Sequence, residues 1–419
     1  MMTSRVMLFV NASEVVTCAG AGRARVGHEM ADAVVRTGVA VAVQDGLIAA
    51  VGDERDLRAR HRNAEIVNCA QGVLTPGFVD SHTHAIFGAP RAAEHELRAS
   101  GLDYMEIAKR GGGIHSSVRD LRARSEDALF DLALPRLLAL AASGVTTVEV
   151  KSGYGLTLDD EVKSLRVIAR LQHALPLRLV PTFLGAHEIP LEHRGSSASR
   201  REYVDLLVED MIPRVAAERL AQFCDVFCEA GVYSVEESRA ILTAARGHGL
   251  GLKLHADELT ASGGAELAAE LRATSADHLA AVSDAGVRAL AGAGTVATLL
   301  PATMLFLGKP RQAPARALIE AGVPVALATD FNPGTSPTLS FPLVLTLAVS
   351  QLHLSVAEAL VAGTVNGAAA LGLAHETGQL APGFSADLAL FRARDHRELP
   401  YWLGARLCER VWIRGKPCP

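Results

Sequence analysis

Pro76-Gly77-Phe78-Val79-Asp80-Ser81-His82-Thr83-His84 is a short apolar run that stops at two histidines. It reads as a strand, in which residues i and i+2 point to the same face. His82 and His84 then project together, and two imidazoles on one face make half of a first-row metal site. A lone His-x-His is more often two unrelated polar residues at a strand end. Here Pro-Gly precedes the run, Asp80 lies within it, and matching residues follow downstream.

Working outward, residues 76 to 374 alternate strand and helix. Eight candidate strands emerge: Gly77–His84, Thr146–Lys151, Leu177–Leu184, Cys224–Glu229, Gly251–His255, Thr274–His278, Thr295–Leu299 and Pro324–Thr329. Helical stretches follow, among them Leu158–Leu171, Glu236–Arg246, Gly264–Leu271 and Ser283–Ala291. The expectation is an α/β fold, a (β/α)8 TIM-like barrel. A doubly wound open sheet is the alternative, but no Gly-x-Gly-x-x-Gly follows the first strand. A long insertion after that strand holds Arg91, Tyr104 and Gly111-Gly112-Gly113-Ile114, and reads as a loop over the barrel mouth.

Both ends of the chain read as β-structure. Val39–Val43 and Leu47–Gly52 flank the turn Gln44-Asp45-Gly46, and two more strands are expected at Ala386–Phe391 and Arg410–Gly415. Residues 1–75 and 375–419 are therefore expected to form one composite β-sandwich beside the barrel.

The bulk numbers fit a globular, soluble protein with one large domain and a smaller one. The chain has 419 residues, 49% hydrophobic and 21% charged, with net charge −5. No basic stripe points to nucleic acid. Met1–Val10 is apolar but too short for a membrane span, and no later run qualifies, so the cytoplasm is expected. The six cysteines are scattered, unlike a disulfide framework. Cys224 and Cys228 lie in an apolar stretch and read as buried strand residues rather than metal ligands.

Barrel active sites sit at the C-terminal ends of the strands. Reading the last polar residues there gives His82 and His84, Lys151 and Tyr154, His187, Glu229, His255 with Asp257 and Glu258, Asp277-His278, and Asp330 with Asn332. Five histidines at strand ends of one barrel are hard to explain as core residues. His82, His84, His255 and Asp330 offer three imidazoles and a carboxylate, a set suited to Zn²⁺ or iron with one position left for water.

These residues resemble the metal-dependent amidohydrolase superfamily. The carriers are the opening stretch, His255, His278, Thr329-Asp330 and the return Gly383-Phe384-Ser385-Ala386-Asp387-Leu388. Within it the chain resembles the imidazolonepropionase family. That likeness rests on Val150-Lys151-Ser152-Gly153-Tyr154-Gly155, Phe183-Leu184-Gly185-Ala186-His187-Glu188, His255-Ala256-Asp257-Glu258 and Thr329-Asp330-Phe331-Asn332-Pro333-Gly334-Thr335.

The resemblance implies hydrolysis of the cyclic amide of 4-imidazolone-5-propanoate to N-formimidoyl-glutamate, a step of histidine degradation, with one Zn²⁺ or iron ion per subunit. It implies His82, His84, His255 and Asp330 as ligands. Asp330 also takes the water's proton, His278 stabilises the oxyanion, and Glu258 is the acid/base that serves the leaving nitrogen. Arg91 then faces the propanoate, with Tyr154, His187, Asn332, Gly334 and Thr335 lining the site and Tyr104 as a weaker candidate. A homodimer is implied as well. Glu229, at the end of strand four where relatives with two metals carry a carboxylated lysine, is expected to stand behind a single ion. The rival readings are a nucleobase deaminase, for which a carboxylate clamp would be wasted, and a metal-free scaffold, which need not retain four ligands.

Overall fold

The computed structural model describes residues 6–102, 106 and 112–418; Tyr104 and Gly111 lie outside the described residues. Eight parallel strands form the central sheet, each hydrogen-bonded to the next in chain order. They are β1 (Phe78–Asp80), β2 (Val145–Lys151), β3 (Arg178–Ala186), β4 (Phe223–Cys228), β5 (Gly251–Ala256), β6 (Ser275–His278), β7 (Val296–Leu299) and β8 (Val325–Leu327). Parallel neighbours need crossover helices, and the sequence starts those helices where caps are available. Thr157 accepts from Asp160 N ahead of Leu158–Ala174. Ser234 and Glu237 form a capping box ahead of Val235–Gly247, and Ser283 caps Asp284–Ala293. This is the (β/α)8 barrel expected from the alternation.

Two of the expected strands are shorter than read. β1 stops at Asp80 and β8 at Leu327, so His82 and His84 lie beyond the regular strand. The reason is the barrel's closure. Past their ends the two chains pair with each other: Asp330 N donates to His82 O at 3.0 Å and His84 N to Phe331 O at 2.8 Å. On the other side, Lys151 N donates to Thr83 O at 3.0 Å. Asp80, fully buried, clamps the seam from below by accepting from Thr329 N (2.9 Å) and Thr329 Oγ1 (2.7 Å). The backbone that closes the barrel thus carries three of the four expected ligands.

The insertion after β1 is not a bare loop. It carries the helix Ala92–Ala99, and Arg98 Nη2 donates to Gly334 O at 2.9 Å, tying the insertion to the loop after β8. Arg91 stands at the N-terminus of that helix.

Strands from both ends of the chain build two further sheets. One holds Met7–Val10, Val39–Gln44, Leu47–Asp53 and Glu65–Asn68. The other joins Glu14–Val16, Val35–Arg36 and Val73–Pro76 to Leu388–Phe391, Cys408–Ile413 and Lys416–Pro417. The hairpin turn has Asp45 and Gly46 both at positive φ (54° and 79°), the two-residue geometry that matches strand twist. Phe9, Val41, Ile48, Leu74, Leu388 and Trp412 pack in one cluster between the sheets, with Phe9 edge-on to Trp412 at 4.8 Å. Leu388–Phe391 pairs antiparallel with Val73–Pro76, which leads directly into β1. Cys224 and Cys228 are buried free thiols in β4. Among the described residues no helix is long and apolar enough to cross a membrane.

Candidate metal centre and active site

The imidazoles of His82, His84 and His255 meet at the C-terminal mouth of the barrel. His84 Nε2 lies 3.2 Å from His82 Nε2 and 3.4 Å from His255 Nε2. Asp330 Oδ1 is 3.5 Å from the Nε2 atoms of both His82 and His84. A tetrahedron with metal bonds of about 2.0–2.1 Å has edges of about 3.3–3.4 Å. These four separations lie near that value; His84 Nε2 and Asp330 Oδ1 gather around His82, and His255 joins through His84, so the cluster offers donors at metal-ligand spacing. All four side chains are buried, where crowded imidazoles and a carboxylate would otherwise be costly.

The far side of two of the three rings, His82 and His255, explains their orientation; His84 Nδ1 is buried with no hydrogen-bond partner among the described residues. His82 Nδ1 is 2.6 Å from Asp277 Oδ2, and His255 Nδ1 is 3.0 Å from Asp225 Oδ2. A carboxylate behind Nδ1 fixes the tautomer with its proton there and leaves the Nε2 lone pair free for a cation. Thr303 Oγ1 donates to Asp330 Oδ2 at 2.6 Å, which turns Oδ1 toward the rings. Burial first, then the charge of Lys151 and of neighbouring imidazoles, holds His82 well below the ordinary histidine range. His84 is depressed by burial and by His187 and His255. Neutral imidazoles are the ligand form.

Asp225 and Asp277 had no role in the sequence reading. Their signal was present: Asp225 interrupts Phe223-Cys224-Asp225-Val226-Phe227, an otherwise apolar buried strand. The same pattern gives Glu149 and Lys151 on β2 and Lys253 on β5. These side chains point inward at i, i+2 spacing and are fully buried beneath the histidines. Lys151 Nζ lies 2.7 Å from Asp225 Oδ2 and 2.8 Å from Glu149 Oε2. Burial opposes its charge, but Asp225, Glu149 and Asp277 more than offset that and raise its pKa.

Two more histidines flank the cluster. His187 stacks on His84 with centroids 4.9 Å apart, and its Nδ1 is 3.0 Å from Gly153 O. Burial lowers its pKa to about 3. His278 Nε2 is buried with no hydrogen-bond partner among the described residues, and its Nδ1 is 3.8 Å from Glu258 Oε2. His278 and Asp330 both adopt positive φ (77° and 52°), a conformation that costs energy in residues with a Cβ and that concentrates at functional sites. Glu258 is nearly buried, and burial, with the charges of Asp330 and Glu229, pushes its carboxyl up to about 8. Burial similarly raises Asp330 to about 6 against the hydrogen bond from Thr303.

Other expected site residues divide in two. Tyr154 is buried beside His84 and His187, with ring centroids at 6.1 and 5.3 Å. Arg91 Nε is buried without a hydrogen-bond partner among the described residues, and its guanidinium lies against Gly334. Asn332 works within its own loop: its Oδ1 accepts from Gly334 N (2.8 Å) and Thr335 N (2.7 Å), and its Nδ2 donates to Asp330 O (2.7 Å). Asn332, Gly334 and Thr335 therefore shape the floor under Arg91. Glu229 turns from the rings toward the loop after β5, accepting from Leu259 N (3.0 Å), Thr260 N (3.1 Å) and Ser262 Oγ (3.0 Å). That loop carries Glu258.

Comparison with known proteins agrees with this geometry. The Amidohydrolase family profile matches residues 110–418, and one for the bacterial imidazolonepropionase-like composite domain matches residues 40–64. The chain is 50% identical over 415 residues to an imidazolonepropionase of Symbiobacterium thermophilum, covering 98% of this chain and 96% of the relative. It is 46% identical over 417 residues to one of Parabacteroides distasonis, covering 99% of each. Among solved structures, an adenosine deaminase from Xanthomonas campestris with bound zinc superposes with TM-score 0.72 at 22% identity, covering 98% of this chain and 92% of that one. A 5-methylcytosine deaminase from Klebsiella pneumoniae gives 0.72 at 18%, covering 98% and 97%. The two deaminases share the fold; the full-length sequence likeness is to the imidazolonepropionases.

Proposed function

The chain belongs to the imidazolonepropionase family of metal-dependent amidohydrolases, and from that premise we infer that it opens the ring of 4-imidazolone-5-propanoate to N-formimidoyl-L-glutamate. The observation that carries the reading is that His84 Nε2 lies 3.2 Å from His82 Nε2 and 3.4 Å from His255 Nε2, with Asp330 Oδ1 3.5 Å from both His82 and His84. His82, His84, His255 and Asp330 would hold one Zn²⁺ or iron ion. When bound, such an ion supplies hydroxide at neutral pH by lowering the pKa of water to about 7.

The remaining steps belong to side chains. Asp330, anchored by Thr303, accepts the proton of the attacking water. His278 offers its unpartnered Nε2 as a donor to the oxygen that gains charge at the ring carbonyl. Glu258, protonated at neutral pH by its burial, gives a proton to the departing ring nitrogen. Arg91 and Tyr154 receive the propanoate. Placement of the acid end fixes which ring atom faces the ligand cluster. A nucleobase has no use for that clamp, which favours the ring-opening reaction over deamination.

A homodimer and a cytoplasmic location complete the reading. The first is supported by the exposed run Tyr401-Trp402-Leu403, 72%, 48% and 70% accessible, an unusual surface for a monomer. The second is supported by six free cysteines. The test is turnover of imidazolone propanoate by purified protein, followed by loss of its ultraviolet absorbance, together with metal analysis. Full metal content with no turnover would reject the substrate; turnover with no metal would reject the centre.

A further inference from the structure

The barrel interior beneath the histidines is a charged layer where packed aliphatic side chains usually stand. Glu149, Asp225 and Asp277 bring three carboxylates, and Lys151 and Lys253 bring two ammonium groups, all with fully buried side chains. The layer is therefore one negative charge in excess, directly under a site that takes a cation.

Lys151 is its hub. Its Nζ contacts Asp225 Oδ2 at 2.7 Å and Glu149 Oε2 at 2.8 Å, and stands 3.7 Å from Asp277 Oδ2. Asp225 holds the Nδ1 of His255, and Asp277 holds the Nδ1 of His82. Lys253 is tied differently. Its Nζ donates to Ser81 O at 3.1 Å and stands 3.4 Å from Glu149 and 3.7 Å from Asp277. Among the described residues only Lys151 pairs with both carboxylates that face ligand imidazoles, at hydrogen-bond distance from Asp225 and at 3.7 Å from Asp277.

We propose that Lys151 is a positioning residue for the metal: it pins Asp225 and Asp277 so that His255 and His82 present Nε2 to one point. This rests on the metal-centre reading above. Lys151 acts at one remove, by setting its charge against Asp225 Oδ2 at 2.7 Å and Asp277 Oδ2 at 3.7 Å, the oxygens that face His255 and His82. Neutral residues in its place would let Asp225 turn away from His255, and the ring would lose its fixed tautomer.

The test uses Lys151→Met and the double variant Lys151→Met/Glu149→Gln, which removes one charge of each sign and spares the interior an uncompensated carboxylate. Thr182→Val is the control. It loses the 2.6 Å bond from Thr182 to Glu149 but touches neither orienting aspartate. Two quantities are measured: the Zn²⁺ dissociation constant, by competition with a chromogenic chelator, and the melting temperature of the metal-free protein. The expected result is Zn²⁺ binding weakened about 10- to 100-fold in the folded double variant, as for other groups that orient metal ligands. Thr182→Val should lower the metal-free melting temperature and leave the dissociation constant within about twofold. Unchanged Zn²⁺ affinity in either folded Lys151 variant would overturn the proposal. So would an equal loss in Thr182→Val, or failure of both Lys151 variants to fold without metal, because the layer would then serve the barrel rather than the ion. Wild-type protein that binds no Zn²⁺ or iron would instead sink the metal-centre reading, and this proposal with it.

Discussion

Replacing Gly334 with alanine tests the substrate assignment without touching a polar group. A Cβ built there falls 1.2 Å from Arg91 Nη2 and 2.1 Å from its Cζ. Ordinary contact is near 3.5–4 Å, so the guanidinium must retreat by about 2 Å. Gly334 is not in a left-handed conformation, so the backbone accepts alanine. The atom displaced is the far end of a flexible side chain, which makes the change cheap for the fold. The proposed cost falls on binding. Losing one charge-assisted contact to a carboxylate is worth roughly 1.5–3 kcal/mol, a rise in KM of about ten- to hundredfold. The assay is steady-state turnover of imidazolone propanoate beside a thermal melt. KM should rise while the melting temperature moves little. Arg91→Ala should do similar damage, and the double variant should add almost nothing, because both changes remove the same contact. A folded Gly334→Ala protein with wild-type KM would refute the placement of Arg91 on the propanoate.

His255→Ala removes a ligand and should strip the ion and abolish turnover, read by metal analysis after gel filtration. Glu258→Gln should keep metal and fold but lose on the order of 10²-fold in kcat, the usual worth of an acid/base group; an unchanged kcat would reduce Glu258 to a loop residue. Burial raises Glu258 to about 8, so between an unfolded value near 4.5 and that pH the native protein holds a proton the unfolded chain has released. Stability of the metal-free protein should accordingly fall as pH rises through this window, and less so in Glu258→Gln; a melting temperature rising across it would contradict the burial. Fully active protein should carry one ion per subunit, because Glu229 is spent on Leu259, Thr260 and Ser262; a ratio near two with activity following the second equivalent would recast His187 and His278 as ligands.

The barrel was legible because each strand is a short β-rich run followed by a helical period, and strand period two made the histidine pair readable as one face. The ends of β1 and β8 were not legible. Their last residues pair with each other across the closing seam, a contact between positions more than two hundred residues apart that no local pattern encodes. The roles of Asp225 and Asp277 were hidden differently. A carboxylate inside an apolar strand is visible in sequence, but which nitrogen it holds depends on the register of β4 with β5 and on closure of β6 toward β1. Asn332 shows what a strand-end position leaves open: besides the substrate contact that the resemblance implies, both ends of its amide hold the turn after β8.

Site and barrel closure are built from the same atoms, and this has an energetic consequence. Asp80 grips Thr329, Asp330 N grips His82 O, and Asp330 itself faces two imidazoles. The upper interior forgoes aliphatic packing for Glu149, Lys151, Asp225, Lys253 and Asp277, a layer whose desolvation is costly even when paired. Apolar residues of similar volume would make a more stable barrel. They would also leave His82 and His255 without the acceptors that set their tautomers, and the seam would close around rings free to turn. The charged layer thus costs the barrel stability and orients the ligand cluster, and the fold withstands the cost because its apolar core lies elsewhere, between the strands and the surrounding helices.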